Sequence, residues 1–202
     1  MIKKISVFLL FLFISFFECD LKLVEVIRII PNICLDVKYA TKNNFTGQIV
    51  YASSKCFLEE EVVKNLKNVQ KELNKIGLGL KIFDGYRPLS VQKKFWLICP
   101  DENFVANPKK GSKHNRGVAV DLTLINLVTK KELVMPSKFD DFTSKAFRNY
   151  DKMSSEAAKN CRFLENILKK YGFIGLKTEW WHFDFKNWRK YPILDIDFEK
   201  IE

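Results

Sequence analysis

Residues 112–124 read SKHNRGVAVDLTL, and the second half of this stretch predicts a β-strand. From position 118 onwards apolar side chains occupy every second position, which is typical of a strand with one face in the core. The apolar face comprises Val118, Val120, Leu122 and Leu124. We therefore expect Asp121 on the opposite face, together with Ala119 and Thr123.

Helical and extended patterns flank this strand along the chain. Apolar residues three or four positions apart predict a helix over residues 57–76, ended by Gly77, and another over residues 155–171, ended by Gly172. A shorter helix is expected over residues 90–97, with Ser90 as its cap. Extended stretches are predicted at residues 21–30, 34–39, 78–83, 132–135 and 180–185. No repeat or linker divides these elements, so they predict a single α+β domain over residues 21–202.

The first twenty residues have the layout of a secretory signal. Lys3 and Lys4 precede an apolar run over residues 5–17, and Glu18 ends it. This run is shorter than the ~20 residues that a membrane-spanning helix needs. We therefore expect an exported, periplasmic protein without a stable membrane anchor. A cytoplasmic location would follow if the segment is not a functional signal. No small residue precedes Cys19, so lipidation is not expected.

Composition narrows the class of protein further. A hydrophobic content of 47% excludes a chain that is mainly disordered. The net charge is +10, but the 34 Lys and Arg residues are spread among 24 acidic residues, so a nucleic-acid partner is not expected. Four cysteines follow the signal-like segment: Cys34, Cys56, Cys99 and Cys161. In an exported protein they could form two disulfides with any of three pairings, or they could serve as four small buried side chains.

The chain contains only two histidines, and each lies close to carboxylates. His114 precedes the strand that carries Asp121, and His182 follows Glu179 at a distance of three residues. Imidazole and carboxylate groups bind zinc, and three protein ligands with an open position are typical of a catalytic zinc site. Glu179 is then the candidate general base and acid. Residues three apart in a regular strand face opposite ways, so Glu179 and His182 can converge only if a bulge intervenes or Glu179 precedes the strand.

Three further side chains are candidates for this site. Trp180 and Trp181 are expected to pack in the core, and at least one of them to wall the site. Arg87, in the sequence DGYRP, could form a surface ion pair or could stabilise the oxyanion that develops on a peptide carbonyl. The basic residues Lys109, Lys110, Lys113 and Arg116 around His114 are expected to form a solvated loop, and the alternative is that they attract anionic wall fragments or substrate carboxylates.

The motifs S-x-H-x-x-G-x-A-x-D and E-W-W-H, preceded by D-G-Y-R-P, closely resemble those of the zinc D-alanyl-D-alanine dipeptidases, within the zinc D,D-peptidase family. The likeness extends over residues 35–47, 105–106 and 135–142. It implies a mostly antiparallel sheet with flanking helices and one Zn²⁺ bound by His114, Asp121 and His182. It also implies that Glu179 is the catalytic acid and base and that Arg87 stabilises the transition state. Further residues are implied to lie near the substrate: Asp84, Ser112 and Asp140.

The resemblance implies zinc-dependent hydrolysis of D-alanyl-D-alanine to two D-alanine molecules. Zinc-bound water would attack the peptide carbonyl, with Glu179 handling the protons and Arg87 binding the oxyanion. A D,D-carboxypeptidase that trims peptidoglycan stem peptides is an alternative with the same chemistry, and a non-catalytic zinc-binding module is another. A dipeptidase needs a small cavity that recognises a free ammonium group, whereas a carboxypeptidase needs an open groove on that side.

Overall fold

The structure is a computed structural model that describes residues 22–201, so the signal-like segment over residues 1–20 lies outside the described residues. The strands are β1 (Leu23–Glu25), β2 (Cys34–Leu35), β3 (Phe57–Glu59), β4 (Leu78–Asp84), β5 (Ala119–Asn126), β6 (Phe173–Gly175) and β7 (His182–Phe185). The helices are α1 (Val26–Ile29), α2 (Glu60–Asn74), α3 (Leu89–Ile98) and α4 (Ser155–Lys170). No helix within residues 22–201 is long and apolar enough to cross a membrane.

The central element is a five-stranded sheet with the strand order β2-β4-β5-β7-β6. Only the β2–β4 pair is parallel, and the other neighbours run antiparallel. A second sheet consists of β1 and β3. The mixture of helices with a mostly antiparallel sheet confirms the predicted α+β fold class.

Strand β5 lies at the middle of the main sheet. Its even-numbered side chains, Val120, Leu122 and Leu124, are fully buried in the hydrophobic core. Asp121 and Thr123 therefore project from the other face, which confirms the predicted position of Asp121. Both faces of β5 are buried, because Val120, Leu122 and Leu124 lie in the core while Asp121 and Thr123 on the other face are also almost fully covered.

The two long helices bury the apolar stripes that predicted them. In α2 the fully buried side chains are Val62, Val63, Leu66, Val69 and Leu73. In α4 they include Leu164 and Leu168, and the Ser154 side chain caps the helix by accepting a hydrogen bond from the Ala157 amide. Each buried Leu or Val stabilises the fold by about 1.5–3 kcal/mol relative to an exposed one.

Several predicted boundaries are wrong because long-range pairing cuts the elements short. Residues 57–59 pair with β1 as strand β3, so α2 begins only at Glu60. The stretch 21–30 becomes β1 and then α1, and 34–39 becomes β2 followed by a 3-10 turn. The last predicted strand begins at His182 rather than at position 180. The extended stretch predicted at 132–135 is reduced to one bridge between Ile125 and Glu132.

The four cysteines that follow the signal-like segment have free thiols, so the two-disulfide interpretation is wrong for the described residues. Cys56 and Cys161 are buried, as the alternative interpretation expected. Cys34 and Cys99 are only partly buried. None of the four therefore cross-links the fold through a disulfide.

Candidate active site

Three potential metal ligands converge from three separate segments. His114 begins a 3-10 turn, and Gly117, with φ of 67°, lets the chain turn from it into β5. Asp121 lies on β5 directly opposite His182 on β7. This register brings His182 Nδ1 to 3.0 Å from Asp121 Oδ1, and His114 Nε2 lies 3.4 Å from the same oxygen. The two imidazole nitrogens are 3.1 Å apart.

The spacing and chemistry of these donor atoms fit a zinc ion. Zinc–ligand bonds of about 2.0–2.1 Å in a tetrahedron separate the ligand atoms by about 3.3 Å, close to the spacing observed here. His114 Nδ1 lies 2.7 Å from the Gly85 carbonyl, which can only accept, so the lone pair of Nε2 faces the site. All three side chains are buried, which excludes competing solvent.

The electrostatics of the site favour a cation. Burial alone would raise the pKa of Asp121, but His114 and His182 hold that pKa well below its usual range. Burial lowers the pKa of His182, yet the carboxylates of Asp121 and Asp184 outweigh burial and raise it to about 10. In the metal-free protein a proton on His182 Nδ1 is therefore shared with the Asp121 carboxylate and His114 Nε2, and a divalent metal ion would displace this proton.

Glu179 reaches the site because it precedes β7. It lies in the turn before the strand, where the His182 amide donates to the Glu179 carbonyl at 3.4 Å. Its Oε2 atom lies 3.8 Å from His182 Nδ1, so the two residues converge without a bulge. Burial raises the pKa of Glu179 to about 8. A carboxyl group with this pKa can take up and release protons near neutral pH.

Arg87 is held rigidly at the edge of the site. Its Nε and Nη2 atoms donate to Asp84 Oδ2 at 3.1 and 2.7 Å, and Nη1 donates to Gln92 Oε1 at 2.9 Å. Its guanidinium also lies over the rings of Tyr39 and Phe95. Arg87 is only 8% exposed, so the alternative of a surface ion pair is wrong. Asp84 is fully buried and fixes Arg87 from behind the pocket, instead of facing the substrate.

A pocket of about 290 Å³ contains these groups. Its walls include Arg87, Ser112, Asp140, Glu179, Trp181 and the three potential metal ligands. Trp181 thus walls the site, as at least one tryptophan was expected to do. Trp180 packs edge-on against Trp181, donates to Ser137 Oγ at 3.1 Å and lines a separate groove. Trp180, the other candidate for this site, therefore does not line the pocket, because its ring packs behind Trp181.

Asp140 presents a partly buried carboxylate to the same pocket. Its Oδ1 accepts a hydrogen bond from Tyr39 Oη, and its Oδ2 accepts one from the Phe45 amide, both at 3.1 Å. The backbone of Asp140 has φ of 58°, a conformation that Asp and Asn tolerate better than most residues. Burial raises the pKa of Asp140 to about 7, and the charge of Asp121 adds to this effect.

Sequence reasoning missed several residues that organise the site. Asn115 Nδ2 donates to the Arg87 carbonyl at 2.8 Å and so ties the two loops together. Asp184 lies 2.8 Å from His182 Nε2, and Lys113 pairs with Asp184 at 3.4 Å. Lys113 also lines the pocket, so the expectation that it belongs to a solvated loop is wrong. The spacing of Asp184, two residues after His182 on one strand face, was the available signal for that contact.

The chain is similar to several known proteins. The sequence profile of a protein family described as D-ala-D-ala dipeptidase matches residues 19–199. A D-alanyl-D-alanine dipeptidase of Escherichia coli is 33% identical over 177 residues, covering 88% of this chain and 91% of that protein. The Enterococcus faecium dipeptidase is 31% identical over 191 residues, covering 85% and 94%. A solved structure of the vancomycin resistance D,D-pentapeptidase VanY in complex with Zn(II) is 17% identical, with a TM-score of 0.41 over 69% of this chain and 78% of that one.

Proposed function

The chain belongs to the D-Ala-D-Ala dipeptidase family of zinc metallopeptidases, and we propose that it hydrolyses free D-alanyl-D-alanine to two molecules of D-alanine. The observation that carries this proposal is the convergence of His114, Asp121, His182, Glu179 and Arg87 on one small pocket. A catalytic zinc site requires such a set of three ligands, a base and an oxyanion donor.

The zinc ion would be held by His114, Asp121 and His182. When bound, zinc supplies Lewis acidity, which polarises a carbonyl group and makes water acidic enough to lose a proton near neutral pH. The donor atoms lie 3.0, 3.1 and 3.4 Å from one another, which supports this metal, and the pair of imidazoles is consistent with it.

Glu179 would move the protons of the reaction. Its carboxylate accepts a proton from the attacking water, and the resulting carboxylic acid donates that proton to the leaving amine. Its burial and raised pKa suit both steps, because neither protonation state is strongly disfavoured near neutral pH. Trp181 and the buried surroundings limit the access of other water to this proton.

Arg87 would bind the oxygen of the scissile carbonyl as it gains negative charge. Three of its five N–H groups are engaged by Asp84 and Gln92, which leaves two that have no partner within residues 22–201. Because Asp84 fixes the guanidinium before substrate arrives, little reorganisation is needed in the transition state.

Asp140 would recognise the ammonium group of the substrate. The ionised carboxylate of Asp140 lines the pocket and can form a charge-assisted hydrogen bond with a primary ammonium. A cavity of about 290 Å³ is at the lower end of ligand pockets, which suits a dipeptide better than a peptidoglycan stem. These two features favour the dipeptidase over the D,D-carboxypeptidase.

The test is D-alanine release by the zinc-loaded protein from D-Ala-D-Ala and from a stem pentapeptide that ends in D-Ala-D-Ala. We expect faster release from the dipeptide, whereas faster release from the pentapeptide would indicate the carboxypeptidase. Glu179→Gln should lower kcat by about 10²–10⁴-fold while zinc content stays unchanged. A wild-type protein that binds zinc but cleaves neither peptide would instead indicate a zinc-binding module.

The cellular role that we propose is recycling of dipeptide released from the cell wall by an exported, periplasmic enzyme. This proposal rests on the Lys-flanked apolar segment over residues 1–20. Cell fractionation of the full chain tests it: the enzyme should be found outside the cytoplasm and should lack this segment after export. Retention of the intact chain in the cytoplasm would contradict the proposal.

A further inference from the structure

Asp184 links the second imidazole of the site to the loop that carries the first. Its Oδ1 atom lies 2.8 Å from His182 Nε2, and its Oδ2 atom lies 3.4 Å from Lys113 Nζ. Asp184 and His182 share one face of β7 because they are two residues apart. The Asp184 side chain is only 14% exposed, so solvent does little to weaken these contacts.

The contact with Asp184 decides which nitrogen of His182 is free to bind a cation. An ionised carboxylate can only accept hydrogen bonds, so Nε2 of His182 must carry a proton. Nδ1 is the atom that faces Asp121 and His114, so a metal ion bound among these ligands would displace the proton from Nδ1, while Asp184 keeps the proton on Nε2. The Gly85 carbonyl has the same effect on His114, with Nδ1 protonated and Nε2 free. Both imidazoles are thus set in the tautomer that a shared metal ion requires.

Lys113 contacts the second carboxylate oxygen of Asp184. Lys113 immediately precedes His114, and its ammonium also lies 5.2 Å from the centre of the Trp188 ring. The Lys113–Asp184 pair therefore connects the segment that carries His114 with the strand that carries His182. A shift of either segment would stretch this ion pair.

We propose that Asp184 is a positioning residue that holds His182 in its zinc-binding tautomer, and that Lys113 anchors Asp184 through the ion pair. The inference rests on the zinc site of the proposed function, and it is independent of which peptide the enzyme cleaves. Loss of such a partner typically lowers metal affinity or activity by about 10–100-fold.

The test compares zinc affinity, measured by competition with a chromophoric chelator, between the wild-type protein and its variants. We expect Asp184→Ala to lower zinc affinity by about 10–100-fold and Asp184→Asn, which keeps the side-chain volume, by about tenfold. Lys113→Met should lower it by at most about fivefold, since it removes a partly exposed ion pair. The control Glu132→Ala breaks the Lys81–Glu132 pair, of 3.1 Å, away from the site and should leave zinc affinity unchanged.

A second readout separates positioning from a general loss of structure. The visible spectrum of the Co²⁺-substituted protein reports ligand geometry, and we expect it to change in both Asp184 variants but not in Glu132→Ala. The Tm of the metal-free protein identifies a variant that fails to fold, and Asp184→Asn then decides the outcome. Wild-type zinc affinity and cobalt spectrum in Asp184→Asn would overturn the inference.

Failure of this inference differs from failure of the proposed function. If the wild-type protein binds zinc but releases no D-alanine, the proposed function fails, and the zinc affinities still test Asp184. If the wild-type protein releases D-alanine while both Asp184 variants bind zinc as it does, only the inference about Asp184 fails.

Discussion

Replacing Asp140 by Asn is expected to stabilise the protein while weakening its binding of substrate. Asn is close to Asp in volume, tolerates the positive φ of this position, and can still accept a hydrogen bond from Tyr39 or from the Phe45 amide. The substitution therefore removes the negative charge and little else. Burial of the negative charge of Asp140 destabilises the folded protein, but a substrate ammonium group needs that charge as its partner.

The size of the stabilisation follows from the pKa of Asp140. Burial raises this pKa from the ordinary value of 3.8 to about 7. As pH rises, the Asp140 carboxyl loses its proton in the unfolded chain near pH 3.8 and in the folded protein only near pH 7. The wild-type protein therefore loses stability relative to Asp140→Asn between these two pH values, and the difference stays constant at higher pH. A difference of about 3 pKa units corresponds to about 4 kcal/mol at pH 8, and to only about 1 kcal/mol at pH 4.5.

Urea unfolding of the metal-free wild-type protein and of Asp140→Asn, at both pH values, measures this difference. The zinc-loaded variant should in parallel lose about 10–100-fold in kcat/KM for D-Ala-D-Ala, since a charged hydrogen bond to the substrate is lost. The control Asp141→Asn changes the neighbouring carboxylate, which accepts from Thr143, and should show neither effect. A stabilisation that does not grow with pH, or unchanged kinetics in Asp140→Asn, would refute the reasoning.

Three other outcomes are expected. The KM of the wild-type enzyme should fall as pH rises through about 7, where Asp140 ionises, and rise again above about 8, where the substrate amine loses its proton. Stopped-time assays of D-alanine release check this, and a KM independent of pH would contradict it. Arg87→Lys should lower kcat by about 10²–10³-fold with zinc content unchanged, because the variant lacks both the paired contact with Asp84 and the spare N–H donors of the guanidinium. A loss of less than tenfold would argue against the oxyanion role. Leu164→Ala should lower the free energy of unfolding in urea by about 2–5 kcal/mol and leave kcat unchanged, since Leu164 is fully buried in α4. A loss below 1 kcal/mol would mean that the core collapses around the cavity.

The sequence by itself determined the chemistry of the site and the type of fold. Local periodicity was sufficient for the long helix α4 and for β5, because burial of one stripe or one face imposes a repeat that can be read along the chain. The two histidines could be assigned because they are scarce and because each stands near carboxylates within its motif. Glu179 was a candidate from its residue type and its position before His182, whereas the role of Arg87 was implied only by the resemblance to the zinc D,D-peptidases.

Only the tertiary structure decided how these residues meet. The pairing of Asp121 with His182 depends on the register of β5 against β7, and the position of Glu179 depends on where β7 begins. Asp84, next to the point where the β4–β5 register shifts, faces Arg87 instead of the pocket. The sequence grouped Lys113 with several solvated basic residues, whereas in the fold β7 brings Asp184 beside it. Contacts of this kind join residues far apart in the chain, and their geometry is fixed by packing, which no local pattern encodes.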